Sequence, residues 1–141
     1  MTQVALKIVP EPIVREAKRE DIPIIRDLIV EVAEELNIVE QSGLEIDSPT
    51  ILTVVRHHMA TRDALVLVHE EDGIIDSFFV GTFFPYYLDI RKMLAHEKIS
   101  GGPNKEKLWD RFMEWAEGHN ISGFVRGCYD STEGSRFRRR E

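Results

Sequence analysis

The sequence predicts a single small α/β domain spanning residues 1–141. Its 141 residues, 43% hydrophobic and 30% charged, suffice to bury one core but not two comfortable ones. Runs rich in β-branched and aromatic residues alternate along the chain with apolar stripes of helical period. No internal repeat, low-complexity segment or linker interrupts that alternation.

The elements follow in order. Residues 12–18 read as a short first strand. Glu20 and Asp21 then introduce Ile22, Ile24, Ile25, Leu28, Ile29, Val32 and Leu36, an apolar stripe at steps of three and four with acids in the first turn, where the helix dipole favours them. Ser42, Gly43 and Asp47 mark a loop. Ser48 and Pro49 read as the N-cap and first-turn proline of a second helix through Leu52, Val55 and Met59. Ala64 to Val68, a Glu71-Asp72-Gly73 turn and Ile74 to Phe84 read as an antiparallel hairpin. The next stretch suits a loop followed by a strand near Leu94 to Ile99. Gly101, Gly102 and Pro103 break regular structure, Leu108 to Ala116 form a strong helical stripe ending at Gly118, and Ile121 to Tyr129 read as a closing strand.

Composition limits the partners. A formal net charge of −7 argues against a surface built to neutralise a nucleic-acid backbone. The single cysteine, Cys128, cannot form an intramolecular disulfide, which points to a reducing, cytoplasmic setting. No run approaches the about 18 apolar residues of a membrane span, and the N-terminus lacks a signal-peptide layout, so no membrane partner is expected. His57 and His58, adjacent on a helix, point about 100° apart and make a poor metal pair, so no metal site is expected. Arg136, Arg138, Arg139 and Arg140 crowd the end of this acidic chain and read as a solvated, frayed terminus, with an anion contact as the alternative. Trp109 and Trp115 fall on different sides of their helix, which would leave one of them for a partner interface.

One segment carries chemistry. A strand, a glycine-containing loop and a helix together form an anion site, because free N–H groups at the helix start point one way and the helix dipole adds to them. Here that loop is Ser100, Gly101, Gly102, Pro103, Asn104 and Lys105, with Lys105 or Lys107 adding charge. The simpler reading is a strand-to-helix turn in which Gly and Pro only reverse the chain.

The order of elements and several short stretches resemble the GNAT N-acetyltransferases over roughly residues 12–137. Ile13 to Pro23 resembles the family's "R-x-A" strand leading into "D-hydrophobic-P" at its first helix, and Val80-Gly81 resembles its "hydrophobic-G" strand. Gly101 to Ala116 resembles the pyrophosphate loop and following helix of phage-encoded, viral members. The R/Q-x-x-G-x-G/A pattern is not intact, since no arginine or glutamine precedes Gly101 at the expected place and Asn104 or Lys105 stands for its last glycine, and the chain ends about where the family's fourth helix would run. The resemblance therefore implies a GNAT-like mixed sheet flanked by helices and lacking the last strands.

It further implies acetyl-CoA as cofactor, held by Ser100, Gly101, Gly102, Asn104 and Lys105, and transfer of an acetyl group to an amine. Glu97, on the strand before the loop, is the implied base and Tyr129 the candidate acid. Each has a plainer alternative: a salt-bridged carboxylate and a packed tyrosine. His96 alternates to the opposite face from Glu97. Cys128 reads as a small buried hydrophobe. The second functional class is a degenerate GNAT-fold module, binding or structural, that docks on a protein partner. Missing closing strands would leave a sheet edge open to pairing in a homodimer.

Overall fold

Hydrophobic residues of the central strands divide between two faces of one sheet. The computed structural model describes residues 11–126 and the backbone of residues 136–139. Strands β1 (Ile13–Glu16), β2 (Ala64–Glu71), β3 (Ile74–Tyr86), β4 (Asp89–Gly101), β5 (Gly123–Arg126) and β6 (Arg136–Arg139) lie side by side in chain order. Every neighbouring pair is antiparallel except β4 and β5, which run parallel. The helices are α1 (Ile22–Glu35), α2 (Ile38–Ser42), α3 (Ser48–Ala60) and α4 (Lys105–Glu117).

β2 explains the layering. Residues Ala64 through His69 are all buried, the unbroken pattern of a strand covered on both sides. Leu65 and Leu67 pack with Phe79 against Leu108, Trp109 and Phe112 of α4. Val66 and Val68 pack with Phe78 against Ile25 and Ile29 of α1 and Val55 of α3. Each such side chain contributes about 1.5–3 kcal/mol of transfer free energy, so both helical layers are fixed to the middle of the sheet.

The mixed sheet flanked by helices is the predicted architecture, with local corrections. Asp47, rather than Ser48, caps α3: its carboxylate accepts the Thr50 N–H at 3.1 Å and the Thr50 hydroxyl, while Ser48 and Pro49 lie in the first turn. α2 is an extra helical turn, set off from α1 by Asn37 in the left-handed region at φ 52°. The expected loop before Leu94 shrinks to a turn at Tyr87 and Leu88, because β4 pairs with β3 from Asp89 onward. The arginine-rich end, expected to fray, supplies β6 beside β5, so one closing strand is present.

Trp115 is half-buried. It stacks on Phe83 at 4.4 Å and 17°, while Trp109 is buried against Phe79 and Phe124. Six helical residues separate the two indoles by about 120°, and the apolar face of α4 is wide enough to hold both.

Candidate functional site

The site begins where two strands part. β4 pairs with β5 over Leu94, Ala95 and His96, opposite Gly123, Phe124 and Val125. On the other side, Val80 pairs with Ile99 and Gly81 with Glu97, so Lys98 is an extra residue in β4. Such a bulge bends its strand and increases its twist, and this one starts where the β5 pairing ends. It also resets the alternation: Ala95 belongs to the α4 side of the core, whereas Ile99 packs on the α1 side.

Beyond the bulge, the chain enters a cavity of about 550 Å³ between α1 and the end of β4. Leu28 and Val32 of α1 form one wall; Glu97, Lys98, Ser100 and Lys105 belong to the other. Gly101 is required by contact with α1, since a Cβ there would lie 2.2 Å from Val32 Cγ2. Gly102 has φ +99°, and a Cβ on it would meet the Asp76 carbonyl oxygen at 2.2 Å and Ser77 Oγ at 2.4 Å. The glycine pair thus lets the loop lie against α1 and β3, a packing reason distinct from the close approach of a phosphate.

The same contact governs Asn104. Its backbone N–H donates to Ser77 Oγ at 2.8 Å, and its carboxamide Nδ2 donates to Asp76 Oδ2 at 3.0 Å. Asp76 is fixed in turn through His69, whose Nδ1 lies 2.9 Å from Oδ1. Asn104 therefore anchors the start of α4 to the hairpin instead of facing the cavity. Lys105, one residue on, lines it.

Glu97 is buried at 5% exposure. Ser100 Oγ donates to its Oε2 at 2.9 Å, and Arg126 Nε lies 3.4 Å from its Oε1. Arg126 also donates to Glu106 Oε1 at 2.6 Å and sits 4.4 Å from the centroid of the Trp109 ring. Burial works against its charge, yet the bond to Glu106 and the field of Glu97 raise its pKa above the usual arginine value. His96 has other surroundings: its ring meets Phe84 edge-on at 5.7 Å. Burial, aided by Lys98 and opposed by Glu97, pushes its pKa below the usual histidine value.

Of the residues singled out from sequence, Glu97, Ser100, Gly101, Gly102 and Lys105 converge on one cavity. Asn104 is turned into β3, and Tyr129 and Cys128 lie outside the described residues. Sequence reasoning missed Asp76, Ser77 and Arg126. Arg126 gave a faint signal, a charge within an otherwise apolar strand; Asp76 and Ser77 gave none, since only the register brings them under the loop. The hairpin also gathers ligand atoms of His69, Glu71 and Asp76 within 4.8 Å of one another. Among the described residues, no helix is long and apolar enough to cross a membrane.

No protein-family model matches the sequence, and no curated protein sequence matches it. Solved structures do. A predicted acetyltransferase from Clostridium acetobutylicum, crystallised with acetyl-CoA, superimposes with a TM-score of 0.68 at 14% identity, over 86% of this chain and 84% of that one. A ribosomal-protein-alanine N-acetyltransferase from Brucella melitensis gives 0.58 at 15% identity, over 82% and 78% of the two chains. A GNAT family acetyltransferase from Staphylococcus aureus gives 0.59 at 8% identity, over 94% and 99%. At these identities the likeness is one of fold, and the fold is that of the GNAT acetyltransferases.

Proposed function

We propose that this protein transfers an acetyl group from acetyl-CoA to an amine. The observation that carries the proposal is the parting of β4 from β5 after His96, beside a cavity that runs from Glu97 to the loop opening α4. A predicted acetyltransferase of this fold was crystallised with acetyl-CoA, which supports the same ligand here.

The residues present fit an anionic, extended ligand. Lys98 and Lys105 bring positive charge to the cavity, and the first turn of α4 brings its dipole. Asp76 also borders the cavity, but both its oxygens are engaged, by His69 and by Asn104. Ser100, Gly101, Gly102 and Lys105 are proposed to hold the cofactor; Asn104 would contribute by fixing the loop, since its N–H is taken by Ser77.

Bound acetyl-CoA supplies an activated acetyl thioester. Glu97 is proposed as the base that takes the proton of the amine. Its carboxylate is buried beside the cavity and oriented by Ser100 and Arg126, which is the arrangement a positioned base needs. Tyr129 is the proposed acid for the departing thiolate. The acceptor is proposed to enter along α1, where Glu31 and Glu35 line the cavity and would favour a cationic amine.

Isothermal titration calorimetry with acetyl-CoA and with CoA tests the reading directly. Micromolar binding is expected, followed by thiol release when amines are supplied, with Glu97→Gln keeping the binding and losing turnover. Absence of heat and of thermal shift at millimolar ligand would retire it.

A further inference from the structure

Arg126 stands at the far bank of the opening between β4 and β5. The parallel register sets Leu94 against Gly123, Ala95 against Phe124 and His96 against Val125; one step further it would set Glu97 against Arg126, where the pairing has ended. In place of backbone hydrogen bonds, the side chain of Arg126 spans the opening. Its Nε is 3.4 Å from Glu97 Oε1 on β4, and its Nη2 is 2.6 Å from Glu106 Oε1 in the first turn of α4. The Trp109 ring supports the guanidinium at 4.4 Å.

The two carboxylates are not equivalent. The Glu97 side chain is 7% exposed and that of Glu106 is 64% exposed, with Arg126 at 19%. An ion pair to a solvated carboxylate is weak, whereas a guanidinium binds a phosphate through short, charge-assisted and often bidentate bonds. Glu106 also follows Lys105, which lines the cavity. A carboxylate held on an arginine at a helix start is in the place an anionic ligand would take.

We propose that Arg126 is an anion-binding residue of this opening, with Glu106 as its exchangeable counter-ion, and that a phosphate of the acyl donor displaces Glu106 from it. The inference rests on the acetyl-CoA reading and adds to it the residue that recognises phosphate and the carboxylate that competes for it. Trp109 keeps the guanidinium plane in position during the exchange, and Glu97 retains its own contact with Nε.

The test compares CoA with pantetheine, which lacks the phosphates, by calorimetry on the full chain. Glu106→Gln removes the competitor and is expected to tighten CoA binding by up to about fivefold, the equivalent of a surface ion pair, with pantetheine unchanged. Arg126→Gln is expected to weaken CoA about tenfold or more without affecting pantetheine, and Arg126→Lys to restore part of the loss. Equal or weaker CoA binding by Glu106→Gln, in a variant whose denaturation midpoint matches the wild type, would overturn the exchange. Parallel losses for CoA and pantetheine in Arg126→Gln would make Arg126 structural. If wild-type protein binds no CoA, the acetyl-CoA reading fails first and this inference with it.

Discussion

Ser77 Oγ accepts the backbone N–H of Asn104 at 2.8 Å, across 27 residues of chain. Ser77 is fully buried, and the bond holds the start of α4 down on β3. Removing the hydroxyl leaves that N–H without its partner, at a cost of about 1–3 kcal/mol. Ser77→Ala is therefore expected to lower the unfolding free energy read from urea denaturation by that amount and to weaken acetyl-CoA binding through a looser loop. A variant with wild-type affinity would show that the loop is set by other contacts.

Gly102→Ala introduces both a disfavoured positive φ and a collision with the Asp76 carbonyl at 2.2 Å. The strain alone costs about 1–3 kcal/mol, and the collision adds to it because backbone cannot swing aside. Gly43→Ala is the control: its φ is +71°, but nothing lies within 4 Å of the added Cβ. Thermal melts should show a clearly larger loss for Gly102→Ala. For the same reason Gly102→Asp, which the phosphate-loop reading suggests as a charge probe, would displace the loop itself.

Arg15 Nη1 lies 2.6 Å from Asp21 Oδ2, and Lys18 N donates to the same carboxylate at 2.7 Å. The Arg15 bond, outweighing burial and helped by the Lys18 N–H, lowers the Asp21 pKa below the ordinary carboxylate range. A depressed folded-state pKa gives stability that is present above the unfolded value of about 3.9. That stability declines as pH falls below that value and is gone once pH passes the folded pKa. Asp21→Asn should cost about 3 kcal/mol at pH 7. In denaturant titrations its deficit should shrink as pH is taken down through that window; a deficit constant with pH would assign the loss to packing.

Phe112 is fully buried and meets Phe79 at 4.9 Å and Trp115 at 5.7 Å. Phe112→Ala opens a cavity beneath α4, with an expected loss of about 3–5 kcal/mol. Since α4 carries Lys105, which lines the cavity, CoA affinity should fall with stability. Retained affinity in a destabilised variant would show that the first turn of α4 is held from the hairpin side alone.

Much of this was legible in the chain itself. The stripe from Ile22 to Leu36 and the stripe from Leu108 to Ala116 are long and regular, so their period alone identifies α1 and α4 and the faces they bury. The unbroken apolar run at Leu65–Val68 marks a strand covered on both sides. Gly101 and Gly102 mark the loop, and Glu97 and Lys105 fall beside it because chain proximity keeps them there. What only the tertiary structure decided depends on register and long-range contact. The extra residue Lys98 reverses the alternation along β4, a shift invisible in composition. Pairing with β3 converts the expected loop before Leu94 into strand. Ser77 and Asp76, distant in sequence, claim Asn104 and the inner face of Gly102, and Arg126 reaches Glu97 only because β5 runs parallel to β4 and their pairing ends at His96 and Val125, one step before Glu97.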